Sequence, residues 1–156
     1  MMDVGYFFLV VSLVFSIISF FTLLRCARED KWKRAWKAAK YTTAVSAISY
    51  FAALFILLYY FLVRDFSVQY VFEFSDVHLS TFYTISALWA GRQGSLLLWA
   101  CYLSIFNVSL FFSVRKHGDK VVALALAIST LVLLFFNVLL LTSSNPFVRF
   151  DFKPPN

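Results

Sequence analysis

Long apolar runs alternate with polar ones along this chain. Positions 5–24, 41–63, 94–114 and 121–141 carry no charged side chain. Each run is about 20 residues, which at 1.5 Å per residue matches the roughly 30 Å hydrocarbon core of a bilayer. Lipid gives backbone amides and carbonyls no water to bond, so a spanning segment must close its own hydrogen bonds as a helix. The pattern predicts an all-α integral membrane protein with four transmembrane helices.

The segment between the second and third runs, 64–93, is too long and too patterned to be a plain connection. In FSVQYVFEF the residues Phe66, Val68, Tyr70, Phe72 and Phe74 recur at period two, with Ser67, Gln69 and Glu73 opposite. That alternation predicts an extended, strand-like piece lying on an apolar surface. Ser75-Asp76 offers a turn, and Ser80 an N-cap for a short helix running through Trp89. On that helix Phe82, Ile85 and Trp89 share a face, so it reads as a short interfacial helix in an ordered outer loop. Gly91 and Gly94 then break it and let the chain turn into the third span.

Composition agrees with a bilayer as solvent. Of 156 residues, 62% are hydrophobic and 14% charged, more apolar side chain than a soluble domain of this size can hide. Position changes the meaning of the net charge of +6. Arg25, Arg28, Lys31, Lys33, Arg34, Lys37 and Lys40 follow the first run, and Arg115, Lys116 and Lys120 follow the third. These are ten of the fourteen basic residues. The positive-inside rule makes that side cytoplasmic. Both termini, the loop 64–93 and the tail 142–156 are then expected outside a cell membrane, with lipid and not nucleic acid as the partner of the positive charge. The first run has no basic residue before it and is not a secretory signal. Cys26 and Cys101 form no close-spaced pair, and no disulfide is expected between them.

Candidate chemistry is sparse. This topology separates His78 from His117, so they cannot share one metal. There is no Ser-His-Asp set, HExxH or paired carboxylate, and GRQGS lacks the lysine and spacing of a nucleotide loop. Tyr6, Trp32, Trp36, Tyr41, Tyr59, Tyr60, Trp89 and Trp99 gather mostly near span ends as an aromatic belt. Within the spans, Ser104, Asn107, Ser129, Thr130 and Asn137 read as hydrogen-bonding glue. A tight hairpin of the third and fourth spans sets Asn107 and Ser104 near Ser129 and Thr130, and Asn137 level with Trp99. No span is broken at its midplane, which argues against a solute carrier.

Three stretches carry a resemblance: DFSVQYV (65–71), FYTISALWAGRQGSLLLW (82–99) and TSSNPFVR (142–149). In order and spacing they resemble the amino-terminal region of the CcmF family of cytochrome c-type biogenesis proteins, the large membrane subunit of the bacterial haem lyase system. Members show a W-G-x-H-E-G-S-L-L-L-W motif and a T-S-N-P-F motif. Here Arg92-Gln93 stands where relatives often have His-Glu, so that histidine's role cannot be carried over. The family continues into further spans, a tryptophan-rich haem segment and haem-ligating histidines. This chain stops at Asn156, and the resemblance therefore implies a split or truncated chain.

It further implies a membrane subunit of the cytochrome c maturation machinery, taking part in haem handling and delivery to apocytochrome c on the outer face. Haem would be held only in complex with a partner carrying the remaining spans; a haem chaperone and apocytochrome c are the other implied partners. The residues implied to lie near haem are Trp89, Arg92, Gln93, Gly94, Ser95 and Trp99, with Ser95 capping the third span. None is implied to be catalytic or to bind a metal. Arg92 either pairs with a haem propionate or reaches headgroup phosphate. The alternative function is a structural or scaffolding membrane subunit without haem contact.

Overall fold

The computed structural model describes residues 3–28, 33–113 and 120–150. Six helices follow in order: α1 (Val4–Arg28), α2 (Lys33–Leu62), α3 (Gln69–Phe74), α4 (Thr81–Ala87), α5 (Arg92–Ser113) and α6 (Lys120–Thr142). Four of them, α1, α2, α5 and α6, are long and apolar enough to cross a membrane. No strand forms among the described residues, and the expected all-α membrane fold is what the chain adopts.

The helices outrun the charge-free segments. Arg25 and Arg28 sit in the last turn of α1, where cations complement the helix dipole. Arg34, Lys37 and Lys40 ride on the first turns of α2, whose 30 residues reach about 45 Å, well past a hydrocarbon core. Positions 29–32 and most of RKHGDK lie outside the described residues.

The four long helices close a ring in which α1 packs on α2, α2 on α5, α5 on α6 and α6 back on α1, with α4 resting on α2. The outside of the ring is apolar, as lipid requires, and its interior sets small polar side chains among leucines and aromatics. Phe7, Phe21, Phe55, Phe112 and Phe135 are exposed, whereas Ser12, Ser16, Ser19, Thr43 and Ser46 are buried. Ser16 Oγ pairs with Ser46 Oγ at 2.7 Å and Ser19 Oγ with Thr43 Oγ1 at 2.6 Å. Bonds of this kind contribute about 0.6 kcal/mol each. The close approach that small side chains allow α1 and α2 matters at least as much.

Asn137 does not meet Trp99. Its Nδ2 donates to Ser12 Oγ (2.6 Å) and Tyr50 Oη (2.8 Å), while Trp99 is exposed. Counting along an isolated α5–α6 hairpin ignores α1, and it is α1 that receives this face of α6.

All the irregular structure described lies at one end of the ring. There α2 stops with Arg64 in the left-handed region at φ 55°. Asp65 N–H donates to the Tyr60 carbonyl (3.0 Å) and Arg64 N–H to that of Phe61 (3.2 Å), the Schellman arrangement that usually places glycine there. The Arg64 guanidinium donates to the carbonyls of Val77 and Leu79, fastening the next loop to the helix end.

FSVQYVFEF is not extended. Its last six residues fold into α3, burying Tyr70 and Val71 and leaving Phe72 exposed. A strand needs a neighbour for its amides, and among the described residues this one finds a single antiparallel bridge, Val68 to Arg149. A helical turn closes its own bonds and still buries Tyr70 and Val71 together.

Candidate functional site

The WAGRQGS turn is built around one phenol. Tyr70 Oη, held on α3, donates to the Leu88 carbonyl (3.0 Å) and accepts from Gly91 N–H (3.1 Å). Burial, the largest influence, pushes its ionisation above the ordinary value, so it stays a neutral donor. Both glycines serve this clasp. A Cβ at Gly91 would meet the Tyr70 and Phe74 rings, and one at Gly94 would strike the Leu88 carbonyl oxygen and the Tyr70 hydroxyl.

Three local expectations change here. The short helix ends at Ala87, not Trp89, because Leu88–Ala90 turn with hydrogen bonds to residues 85–87. Gly94 does not break a helix but lies within α5, as the point where that helix approaches Leu88. Ser95 is not a cap: α5 begins at Arg92, and the Ser95 hydroxyl reaches back to the Trp89 carbonyl at 2.9 Å. Ser80 does flank the start of α4, without a side-chain capping bond.

Of the remaining residues, Arg92 Nη2 donates to the Ser143 carbonyl at 2.9 Å, joining WAGRQGS to TSSNPF. Its side chain is otherwise exposed, and among the described residues it has no ion-pair partner. Gln93 is half-buried and Gly94 buried. Trp89 and Trp99 turn outward, at 47% and 63% exposure, so neither packs into the clasp.

A second knot, which sequence reasoning missed, ties chain segments far apart. Arg149 Nε meets Asp3 Oδ2 at 2.9 Å, and its Nη1 meets Ser67 Oγ at 2.6 Å and Asp65 Oδ2 at 3.3 Å. Its guanidinium lies over the Tyr60 ring, 5.1 Å from the centroid, and the Tyr60 hydroxyl donates to Asp3. Burial would raise Asp65, but hydrogen bonds from Ser67 and the Arg149 charge outweigh it and hold the carboxyl below its ordinary value. Burial would likewise lower Arg149, and the bonds and charges of Asp3, Tyr60 and Asp65 raise it instead. Beside the knot, the Phe147 ring covers Gly5 so closely that a Cβ there would overlap it. The signal available in the sequence was partial: Asp3 and Asp65 stand beside the ends of the first two spans, whereas Arg149 lies seven residues past α6.

Among the described residues no group of His, Cys, Asp and Glu could hold a metal. His78 is exposed in a turn where its amide donates to Asp76 Oδ1. His117 lies outside the described residues. Cys26 and Cys101 are both buried thiols. A haem needs an axial ligand and an apolar slot. Arg92 could meet a propionate, but these residues do not by themselves form such a slot with a ligand in it.

No protein-family model matches the chain. Curated relatives do. It is 36% identical over 118 residues to the probable cytochrome c-type biogenesis protein NrfE of Escherichia coli, covering 73% of this chain and 21% of that protein. It is 33% identical over 151 residues to the cytochrome c-type biogenesis protein CcmF of Pseudomonas aeruginosa, covering 94% and 22%. The solved structure of the cytochrome c heme lyase CcmF superposes with a TM-score of 0.82 at 25% identity, over 92% of this chain and 24% of that one. The chain is a region of CcmF/NrfE type. It spans about a fifth of the length of these curated relatives. For a CcmF-type region the clasp and the Arg92–Ser143 bond take on a particular interest, because they bring together the stretches on which the resemblance rests.

Proposed function

We propose that this chain is a membrane part of the cytochrome c maturation machinery that takes part in haem handling on the outer face of the cell membrane. Its ordered cap is the surface offered to haem and apocytochrome c, and a haem site is complete only with a chain supplying the remaining spans. The observation that carries this reading is the Arg92–Ser143 bond. It fixes the guanidinium by one N–H and leaves the other donors of a planar fork free for a carboxylate such as a propionate. The exposed Trp89 and Trp99 flank α5's first turns with apolar faces. The outward direction of the cap is supported by the basic residues at the opposite helix ends.

The same bond favours a second reading, a scaffold in which Arg92 only stitches α5 to the end of α6. The two are separated by Arg92→Ala and Arg92→Lys, each co-expressed with the chain bearing the remaining spans. A propionate contact is a charge-assisted hydrogen bond of about 1.5–3 kcal/mol. Alanine should then lower haem affinity of the complex roughly tenfold to a hundredfold, and lysine should restore only part, having lost the fork. Haem-to-protein ratio and matured cytochrome c are the readouts, at matched expression. Equal ratios for all three proteins would assign Arg92 to the scaffold.

A further inference from the structure

The middle of the bundle holds a buried polar side chain that no described residue pairs with. Asn107 of α5 is fully buried, and among the described residues neither its Nδ2 nor its Oδ1 has a hydrogen-bond partner. It lines a cavity of about 10 Å³ whose wall also carries Ser16, Ser19, Thr43, Ser46, Ser104 and Thr130. All four long helices contribute to that wall.

Leaving an amide unpaired inside a bilayer is strongly unfavourable, and the hydroxyls around it are differently committed. Ser104 donates to the Cys101 carbonyl (2.8 Å) and Thr130 to that of Leu126 (2.7 Å). Their protons are taken, but their lone pairs are open. The vacant partner must therefore accept from an N–H and donate to oxygen at once. A cation can only take oxygens and would leave Nδ2 orphaned, while an anion has no proton to give the hydroxyl oxygens. The volume decides the rest, since a void of roughly 10–15 Å³ suits a single water.

We propose that this cavity binds one ordered water, held by Asn107 and donating to Ser104 and Thr130, as a fixed part of the bundle. It accepts from Asn107 Nδ2, the donor end of the amide, and makes about three bonds, the usual complement of a buried water. It thereby links α5 and α6 at the level where the Ser16–Ser46 and Ser19–Thr43 pairs link α1 and α2.

The test is magnetisation transfer from water to side-chain amides in protein labelled with ¹⁵N at asparagine, in nanodiscs of deuterated lipid, with Asn107→Ser identifying the resonance. A water cross-peak at the Asn107 NH₂ in the unmodified chain is the expected result. It should be lost or sharply weakened in the folded Ser104→Ala/Thr130→Val variant, which removes both acceptors and no donor the water needs. An Asn107 NH₂ in the unmodified chain that shows contacts to protein hydroxyls and none to water overturns the proposal. So does a water peak unchanged in the folded double variant, which would place the water elsewhere. The first outcome is read on the unmodified chain, so it does not depend on whether the double variant folds.

Discussion

Tyr70 uses one hydroxyl twice, towards Leu88 and towards Gly91. Tyr70→Phe keeps the ring packing against Phe61 and Phe74 but strands a carbonyl and an amide. The expected loss is about 2 kcal/mol, since a buried group left unsatisfied costs about 1–3. Gly94→Ala should be worse, because its methyl meets backbone as well as the phenol and backbone cannot swing aside. Denaturant titration in mixed micelles would rank the two. A Tyr70→Phe protein as stable as the parent would mean the clasp is not closed in solution.

At the scale of elements, α3 and the tail are joined by a short bridge and an ion cluster, and the cluster gives the joint a pH dependence. The Asp65 carboxyl is held below its ordinary value of 3.8. Its contribution is therefore complete above that ordinary value and is lost as pH falls through the lowered one. Protease protection of the 64–80 segment should fall as pH drops below about 4. Asp65→Asn should be less protected at neutral pH and respond less to acid. The α1–α2 seam offers a separate check. Cysteines at Ser16 and Ser46, whose hydroxyls are 2.7 Å apart, should crosslink readily under mild oxidation. Cysteines at Ile18 and Ile48, both turned to lipid, should not. Crosslinking only at the lipid-facing pair would require α1 to be rotated on its axis.

For the whole molecule the open quantity is direction across the membrane. The described irregular segments gather at one end and the basic turns of α1 and α2 at the other. Cys26 and Cys101 are buried, so neither reports on sidedness and both should be replaced by serine or alanine. A cysteine at exposed Asp76 should then react with an impermeant maleimide in intact cells, and one at exposed Arg34 only after permeabilisation. The reverse pattern would turn the cap inward and remove it from the face where haem handling is proposed.

Sequence alone determined the number of long helices and the basic side, because a bilayer penalises charge and unpaired backbone so heavily that run length and lysine position are nearly sufficient. The WAGRQGS and TSSNPF stretches were legible for the same reason that they stood out, as polar and glycine-bearing turns in an apolar chain. The serine stripe went unread, although Ser12, Ser16 and Ser19 have a three- and four-residue spacing, because small hydroxyls hide easily among leucines. Tertiary structure decided what local pattern could not. Period two in FSVQYVFEF fits a strand or one turn of helix, and only the shortage of a neighbouring strand chose the helix. Asn137 could have faced several helices, and the closure of the ring gave it to α1 and α2. Arg149 and Asp3 stand at opposite ends of the described chain, and nothing in their neighbours along it foretells that they meet. Contacts of that kind depend on how four helices pack at once.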